Sequence, residues 1–283
     1  MSSAIEVRHL TKRYPDFTLD DVCFSVPEGS IFGLAGENGA GKSTTLKLIM
    51  NAVQRDGGDV FVLGSDNRDK AFSDLKNDIG VVLDEAYFPA VLNAKDVEKV
   101  MKSTYKNWDE AAFFGYLKRF SLPEKKPFKD FSRGMKMKFA IAVALSHHPR
   151  LLILDEATGG LDPVVRDEIL DLFNDFTRDE HCSILMSSHI VSDLEKICDY
   201  FGFIHKGKLI LCDEKDKILS DYGFLTLSKE EAATLPPEAV HGKKETPYGV
   251  RLLVERNKLP ADFEAEKPTL EDVIVFLAKE ERA

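Results

Sequence analysis

The chain has 283 residues, 43% of them hydrophobic and 30% charged, a balance that excludes a disordered chain and allows a large core with an accessory unit. Its formal net charge is -10 and no stretch carries a block of Lys and Arg, which argues against a nucleic-acid partner. No apolar run approaches the ~20 residues that span a bilayer.

Met1 to Glu6 lacks the charged and apolar regions of a signal peptide, so a cytosolic chain is expected. Cys23, Cys182, Cys198 and Cys212 show no C-x-x-C spacing and read as buried free thiols of a reducing compartment, with no metal site among them.

Ile5 to Leu10 alternates like a half-buried strand, Tyr14-Pro15-Asp16-Phe17 marks a turn, and Val22 to Val26 is a second strand before the turn Pro27-Glu28-Gly29. Tyr14 and Phe17 each have a ring that can stack on a base. The strand Ile31 to Ala35 delivers Gly36-Glu37-Asn38-Gly39-Ala40-Gly41-Lys42-Ser43-Thr44, which meets the pattern G-x-x-x-x-G-K-[ST] at every specified position, and a helix-like segment runs on to Asn51. A triphosphate needs many donors close to its oxygens. Glycines at 36, 39 and 41 let successive N–H groups turn inward, Lys42 adds a cation, and the helix N-terminus favours the anion. Ser43 is placed to ligate Mg2+ through its hydroxyl.

Asp56-Gly57-Gly58 turns the chain into a strand over Asp59 to Gly64, and Ile79 to Leu83 has the continuous apolar character of a strand buried on both faces. Residues 93–147 read as a helical insert, with helices over Lys95 to Tyr105 and Asp109 to Phe120. Within it, Phe131-Ser132-Arg133-Gly134-Met135 opens an amphipathic helix with Met135, Phe139, Ala142 and Val143 on one face. Ser132 is an N-cap there, and Ser132 with Gly134 makes a second anion-binding helix terminus.

Leu151 to Glu156 is a buried strand ending in two acids, a costly placement unless a cation waits there. Asp155 is expected to hold Mg2+ and Glu156 to polarise the attacking water. Asp162-Pro163 has the chemistry of a helix start, followed by a core-facing stripe of Val165, Ile169, Leu172, Phe173 and Phe176, and Ser183 to Met186 is one more strand. Strands alternating with helices imply a mostly parallel sheet with ligands at the strand C-termini. From Glu214 the pattern shifts to a small α+β appendage. Phe224 to Leu227 and Gly249 to Val254 are its strands, Ser228 with Glu231 a capping box, and Thr269 caps a last helix carrying Leu270, Val273, Ile274 and Leu277. Pro236-Pro237 and Gly242-Lys243-Lys244 read as loops.

In this order the motifs resemble the ATP-binding subunit of an ATP-binding cassette (ABC) transporter, over about residues 4 to 213. Gly36 to Thr44 resembles the Walker A loop, Phe131 to Met135 a variant of the LSGGQ signature, Leu151 to Glu156 the Walker B strand, Gly160-Leu161-Asp162 the D-loop, and Ser188-His189 the switch histidine. Tyr14 falls where the family places its adenine-stacking aromatic.

The resemblance implies an α/β fold: a P-loop NTPase core of the ABC cassette type with an antiparallel β subdomain, a helical insert and a small C-terminal α+β appendage. It implies an ATPase domain over 1–213 and an accessory unit over 214–283. It also implies that two copies pack head to tail, each ATP held by Lys42, Ser43 and Asp155 of one copy and by Ser132 and Gly134 of the other, with Asp162 nearby. Glu156 and His189 would then act at the γ-phosphate, and a separate membrane permease would carry the substrate. The chain would sit on the inner face of the membrane through that permease, and Ala86-Tyr87-Phe88-Pro89 is where it could dock.

The sequence departs from the family pattern at Asp84, where Gln is usual and where an Asp could still ligate Mg2+, and at Phe131 and Arg133, where Leu and Gly are usual. The signature variant and the tail Thr269-Leu270-Glu271-Asp272 resemble bacterial ABC-2-type exporter subunits. The rival readings are a soluble cassette ATPase acting on ribosomes or another macromolecule, a DNA-maintenance ATPase, and a non-hydrolysing switch. The paired cassettes of the first and the long coiled coil of the second are not seen.

Overall fold

A computed structural model describes residues 2–84, 88–247 and 249–280. Three sheets organise them. The first is antiparallel, in the order β2-β1-β4-β5, from β1 (Ser3–Tyr14), β2 (Phe17–Pro27), β4 (Gly57–Val62) and β5 (Ser65–Asp66). The second has the order β10-β9-β3-β8-β7-β6, from β3 (Ile31–Gly36), β6 (Ile79–Val82), β7 (Leu151–Asp155), β8 (Ser183–Ser188), β9 (Tyr200–His205) and β10 (Lys208–Glu214). All of its neighbours pair in parallel except β9 and β10. The third, β11-β13-β12, joins β11 (Tyr222–Leu227), β12 (Val240–Thr246) and β13 (Gly249–Glu255).

Helix α1 (Lys42–Ile49) follows β3, and the short α2 (Phe72–Leu75) precedes β6. The insert holds α3 (Ala94–Thr104), α4 (Glu110–Arg119) and α5 (Arg133–Leu145), capped by Asn93, Asp109 and Ser132 side chains in turn. Phe139 of α5 is the hub of this insert. The rings of Phe88, Phe113, Phe128 and Phe131 all lie within 6 Å of it, contacts worth ~0.5–1.5 kcal/mol each beyond their burial. Phe131, a departure from the family pattern, thereby fixes the signature loop to the insert's core. Phe88, half-buried in this cluster, is a loop anchor rather than an exposed docking residue; Ala86 and Tyr87 lie outside the described residues, as does Glu85.

Helices α6 (Pro163–Phe176) and α7 (Val191–Ile197) pack on the parallel sheet, α8 (Lys215–Asp221) leads out of it, and α9 (Lys229–Ala232) and α10 (Leu270–Glu280) belong to the last third-sheet segment. Asp162 and Ser228 cap α6 and α9 as their sequences require. No helix of the described residues is long and apolar enough to cross a membrane.

Three expectations change. Gly242, Lys243 and Lys244 are not a loop but part of β12. That strand lies at the sheet edge, where lysines blunt further pairing and hide the usual apolar alternation, and Gly242 sits where a Cβ would meet the Phe276 ring at 3.1 Å. Ile79 to Leu83 is not buried on both faces, because β6 ends the parallel sheet and leaves Val81 exposed. Of the cysteines, all free, Cys198 is buried and Cys182 half-buried, whereas Cys23 and Cys212 are exposed, both having the solvent-facing side of a strand. Burial pushes the Cys198 thiol far above its ordinary range.

The appendage is less separate than its pattern suggests. Leu270, Val273, Phe276 and Leu277 of α10 belong to the same apolar cluster as Leu152, Leu154 and Met186 of the parallel sheet. Only the outer face of the third sheet, with Leu225, Leu252 and Val254, closes a core of its own.

Candidate active site

The phosphate loop starts where β3 ends. β3 lies between β8 and β9, so its C-terminal end shares one rim with the ends of β7 and β8. A Cβ at Gly36 would stand 2.6 Å from the Ile204 carbonyl oxygen, and Gly41 has φ +118, a conformation closed to most side chains. Gly41 then caps α1 without a side chain of its own, leaving the helix N–H groups to face whatever occupies the loop. Phe17 packs on this glycine, its ring edge 3.0 Å from where a Cβ would be, while Tyr14 stands 41% exposed with its ring 6.5 Å from that of Phe17. The base-stacking candidates are thus adjacent, and Phe17 is the one that touches the loop.

Lys42 is 5% exposed and charged, so its ammonium must be answered. It donates to the carbonyls of Gly36 (2.7 Å) and Glu37 (3.3 Å) and lies 3.1 Å from Glu156 Oε1. The other oxygen of that carboxylate accepts the His189 backbone N–H (3.2 Å) and sits 2.5 Å from His189 Nδ1. One acid therefore joins the loop lysine to the histidine after β8. The backbone aims it there: Glu156 leaves β7 with φ 52, in the left-handed region, while its N–H donates to the Ser187 carbonyl at 3.1 Å.

Asp155, also 5% exposed, has Oδ1 accepting from Ser43 Oγ (3.1 Å) and Ser187 Oγ (2.6 Å). A hydroxyl and a carboxylate in contact at a phosphate loop are the hard oxygen donors that suit Mg2+, so Ser43 and Asp155 fit the ion. Ser187 is a site residue that the sequence reading passed over; its only signal there is a polar pair, Ser187-Ser188, closing an apolar strand.

The remaining expected residues gather elsewhere. Ser132 Oγ accepts the Met135 N–H (3.3 Å), capping α5, and a Cβ at Gly134 would face Leu161 at 3.6 Å. Asp162 Oδ1 accepts the Val165 N–H (3.1 Å), so its carboxylate serves its own helix. Arg133 reaches Asp84 at 3.1 Å, and its guanidinium covers Gly160, where a Cβ would lie 2.9 Å from Cζ. Two of the three positions at which the sequence departs from its family pattern, 84 and 133, are thus partners. Among the described residues, no hydrogen bond or ion pair joins Asp84, Ser132, Gly134 or Asp162 to Lys42, Ser43 or Asp155. Glu37, Asn38 and Gly39 are exposed at the loop tip, Ala40 is buried beneath it, and Thr44 is half-buried on α1.

Away from this rim, His9, Asp21 and Cys23 bring three exposed donor atoms within 4.8 Å. His9 Nδ1 and Asp21 Oδ1 are 2.7 Å apart and bridge β1 to β2 at a register shift, which accounts for the cluster as a strand-bulge contact.

Known proteins match this arrangement. The ABC transporter family matches residues 19–159. The lantibiotic transport ATP-binding protein SrtF of Streptococcus pyogenes is 37% identical over 215 residues, 75% of this chain and 91% of that protein. An ABC transporter ATP-binding protein of Bacillus subtilis, YhcH, is 30% identical over 275 residues, covering 93% of this chain, appendage included, and 88% of its own length. Among solved structures, an ATP-binding subunit of an ABC transporter superposes with a TM-score of 0.69 at 28% identity, over 76% of this chain and 92% of that one. A dimeric ATP-binding cassette in a post-hydrolysis state with ADP and Pi, at 20% identity and TM-score 0.66, shares the fold over 74% of this chain and 98% of its own. The order of motifs, the phosphate loop closed by Lys42, Glu156 and His189, and these matches agree: the chain belongs to the ABC transporter family, as an ATP-binding and ATP-hydrolysing subunit.

Proposed function

We propose that the chain energises transport, in the export direction, by a separate membrane permease, and that it does so by closing on a second copy of itself around ATP. The carrying observation is the division of the site: Lys42, Ser43, Asp155, Glu156 and His189 meet at one rim, while Ser132 and Gly134 open a second helix N-terminus that makes no hydrogen bond or ion pair with that rim among the described residues. Two half-sites on one chain complete each other when two chains pack head to tail. ATP-binding proteins for lantibiotic and for bacitracin transport among its relatives support the exporter reading.

In this reading Lys42 and the loop N–H groups of 1–213, the ATPase unit, hold the phosphates, and Ser43 with Asp155 hold Mg2+. The ion neutralises phosphate charge. Asp84, whose Oδ1 faces Arg133, would have to share or leave that partner to reach the ion. Glu156 orients the attacking water, and His189, already on its carboxylate, contacts the γ-phosphate. Residues 214–283 form the accessory unit, and the permease places the protein on the inner face of the membrane.

Glu156→Gln tests this. It keeps the side chain's size but removes the charge that Lys42 and His189 face. The expected outcome is ATP-dependent dimers by light scattering with turnover lost; turnover equal to that of the parent overturns the reading.

A further inference from the structure

The wall of the phosphate loop is not built by the ATPase unit alone. A cavity of about 190 Å3 opens beside the loop, lined on one side by Gly36, Glu37 and His189 and on the other by Glu271, Ile274 and Val275 of α10. The helix is held there from two directions. Its Leu270 and Val273 are fully buried in the main apolar cluster, and the Leu270 N–H donates to the Glu195 carboxylate of α7 at 3.0 Å. α7 begins two residues after His189, so α10 is fixed to the same short segment that carries the histidine.

Among the described apolar residues of α10, one is exposed. Ile274 and Phe276 are 7% and 6% exposed, yet Val275 between them is 41% exposed, at the mouth of this cavity. An exposed valine alone needs no explanation. This one adjoins Glu271, also exposed, so the patch pairs an apolar side chain with a carboxylate. Across the molecule, the helix end at Ser132 carries basic side chains: Arg133, 60% exposed and paired with Asp84, and Lys136 one turn on, with no acid in that first turn.

We propose that α10 is part of the surface that receives the second copy of the chain, with Val275 packed in the seam and Glu271 facing the basic signature end of the other copy. The proposal rests on the head-to-tail reading, because the cavity shares Gly36, Glu37 and His189 with the half-site which that reading closes with a second copy. It gives the accessory unit a direct role: α10 extends the seam past the nucleotide, and a displacement of α10 loosens it.

The experiment uses the full-length Glu156→Gln protein, ATP and Mg2+, with dimer formation followed by light scattering and nucleotide binding by the single chain measured below the dimerisation range. Val275→Glu is expected to weaken the ATP-dependent dimer about tenfold or more while binding ATP as a monomer within about twofold of its parent. Val275→Ser, which adds no charge, is expected to weaken it less, and Val100→Glu, an exposed valine of α3 away from the cavity, to leave it unchanged. A Val275→Glu protein that dimerises like its parent overturns the proposal and leaves the head-to-tail reading standing. Loss of monomer ATP binding in Val275→Glu also overturns it, since α10 would then serve the nucleotide rather than the seam. Absence of a dimer in the Glu156→Gln parent removes both readings together.

Discussion

The loop rim and the signature end are both helix N-termini on one chain, but they are finished differently. At the loop rim Lys42, Asp155 and Ser187 are buried, Glu156 and Ser43 are half-buried and His189 is exposed, and these groups answer one another: Lys42 meets Glu156, Glu156 meets His189, and Ser43 with Ser187 meets Asp155. At the signature end Ser132 and Arg133 are exposed, and the contacts are a cap and a solvent-facing ion pair. Buried polar groups in a low-dielectric setting hold one geometry strongly, whereas exposed pairs contribute little and yield easily. The rim is therefore a finished receptor, and the signature end is the part free to meet something else.

Lys42→Ala against Ser132→Ala is the strongest way to break this comparison. Removing the lysine should lower turnover by about a hundredfold or more, with loss of ATP binding by the single chain, since the charge-assisted contact to phosphate goes and Glu156 is left without its cation. Removing the Ser132 hydroxyl should lower turnover about tenfold at unchanged monomer affinity, beyond the ~1 kcal/mol that the lost helix cap costs. Steady-state phosphate release and titration of dilute protein with ATP separate the two. Equal loss of monomer affinity in both would make the two regions one site.

Asp84 and Arg133 sharpen it. An ion pair half-exposed on both sides contributes at most ~1 kcal/mol to stability, so a double-mutant cycle of Asp84→Gln and Arg133→Gly by chemical unfolding should return a coupling of that size or less. If Asp84 also serves Mg2+, then Asp84→Ala and Asp84→Gln should both shift the Mg2+ dependence of hydrolysis. Parental Mg2+ curves in both would confine Asp84 to its arginine.

The smallest effect is in pH. His147 follows α5, its ring stacked on Tyr105 at 4.0 Å and its Nδ1 donating to the Asn77 carbonyl at 2.9 Å. Burial pushes its pKa below the ordinary 6.5, an effect that outweighs the Asn77 hydrogen bond. The folded chain thus prefers neutral His147 and the unfolded chain takes up the proton first. The stabilisation is fully present above pH 6.5 and declines as pH falls toward the folded value. Thermal unfolding between pH 7.5 and pH 5.5 should lose this increment, and His147→Phe should flatten that part of the curve. Since His147 secures the far end of α5, acid weakens the signature side in preference to the rim; an unchanged slope in the variant would refute this.

The rim was legible because its chemistry is contiguous or nearly so: the glycines, Lys42 and Ser43 in one loop, Asp155 and Glu156 at one strand end, His189 after another. What escaped the reading depends on neighbours distant in sequence. The Asp84 to Arg133 pair spans 49 positions, and either residue alone looks like a surface charge. β12 hid behind edge lysines. Ser187 looked like any strand residue until β7 and β8 lay side by side. The reach of α10 to the loop follows from packing on α7, for which the last segment's amphipathic stripe gives a face but no address.

The pairing of Lys42 with Glu156 has a further consequence. A lone chain balances the buried Lys42 ammonium with Glu156, the acid that the proposed mechanism sets on the attacking water, so it can stand folded without nucleotide and without an armed water. An incoming phosphate competes for that ammonium. In taking it, the phosphate releases the carboxylate, so that loading the pocket and readying it for reaction become a single event.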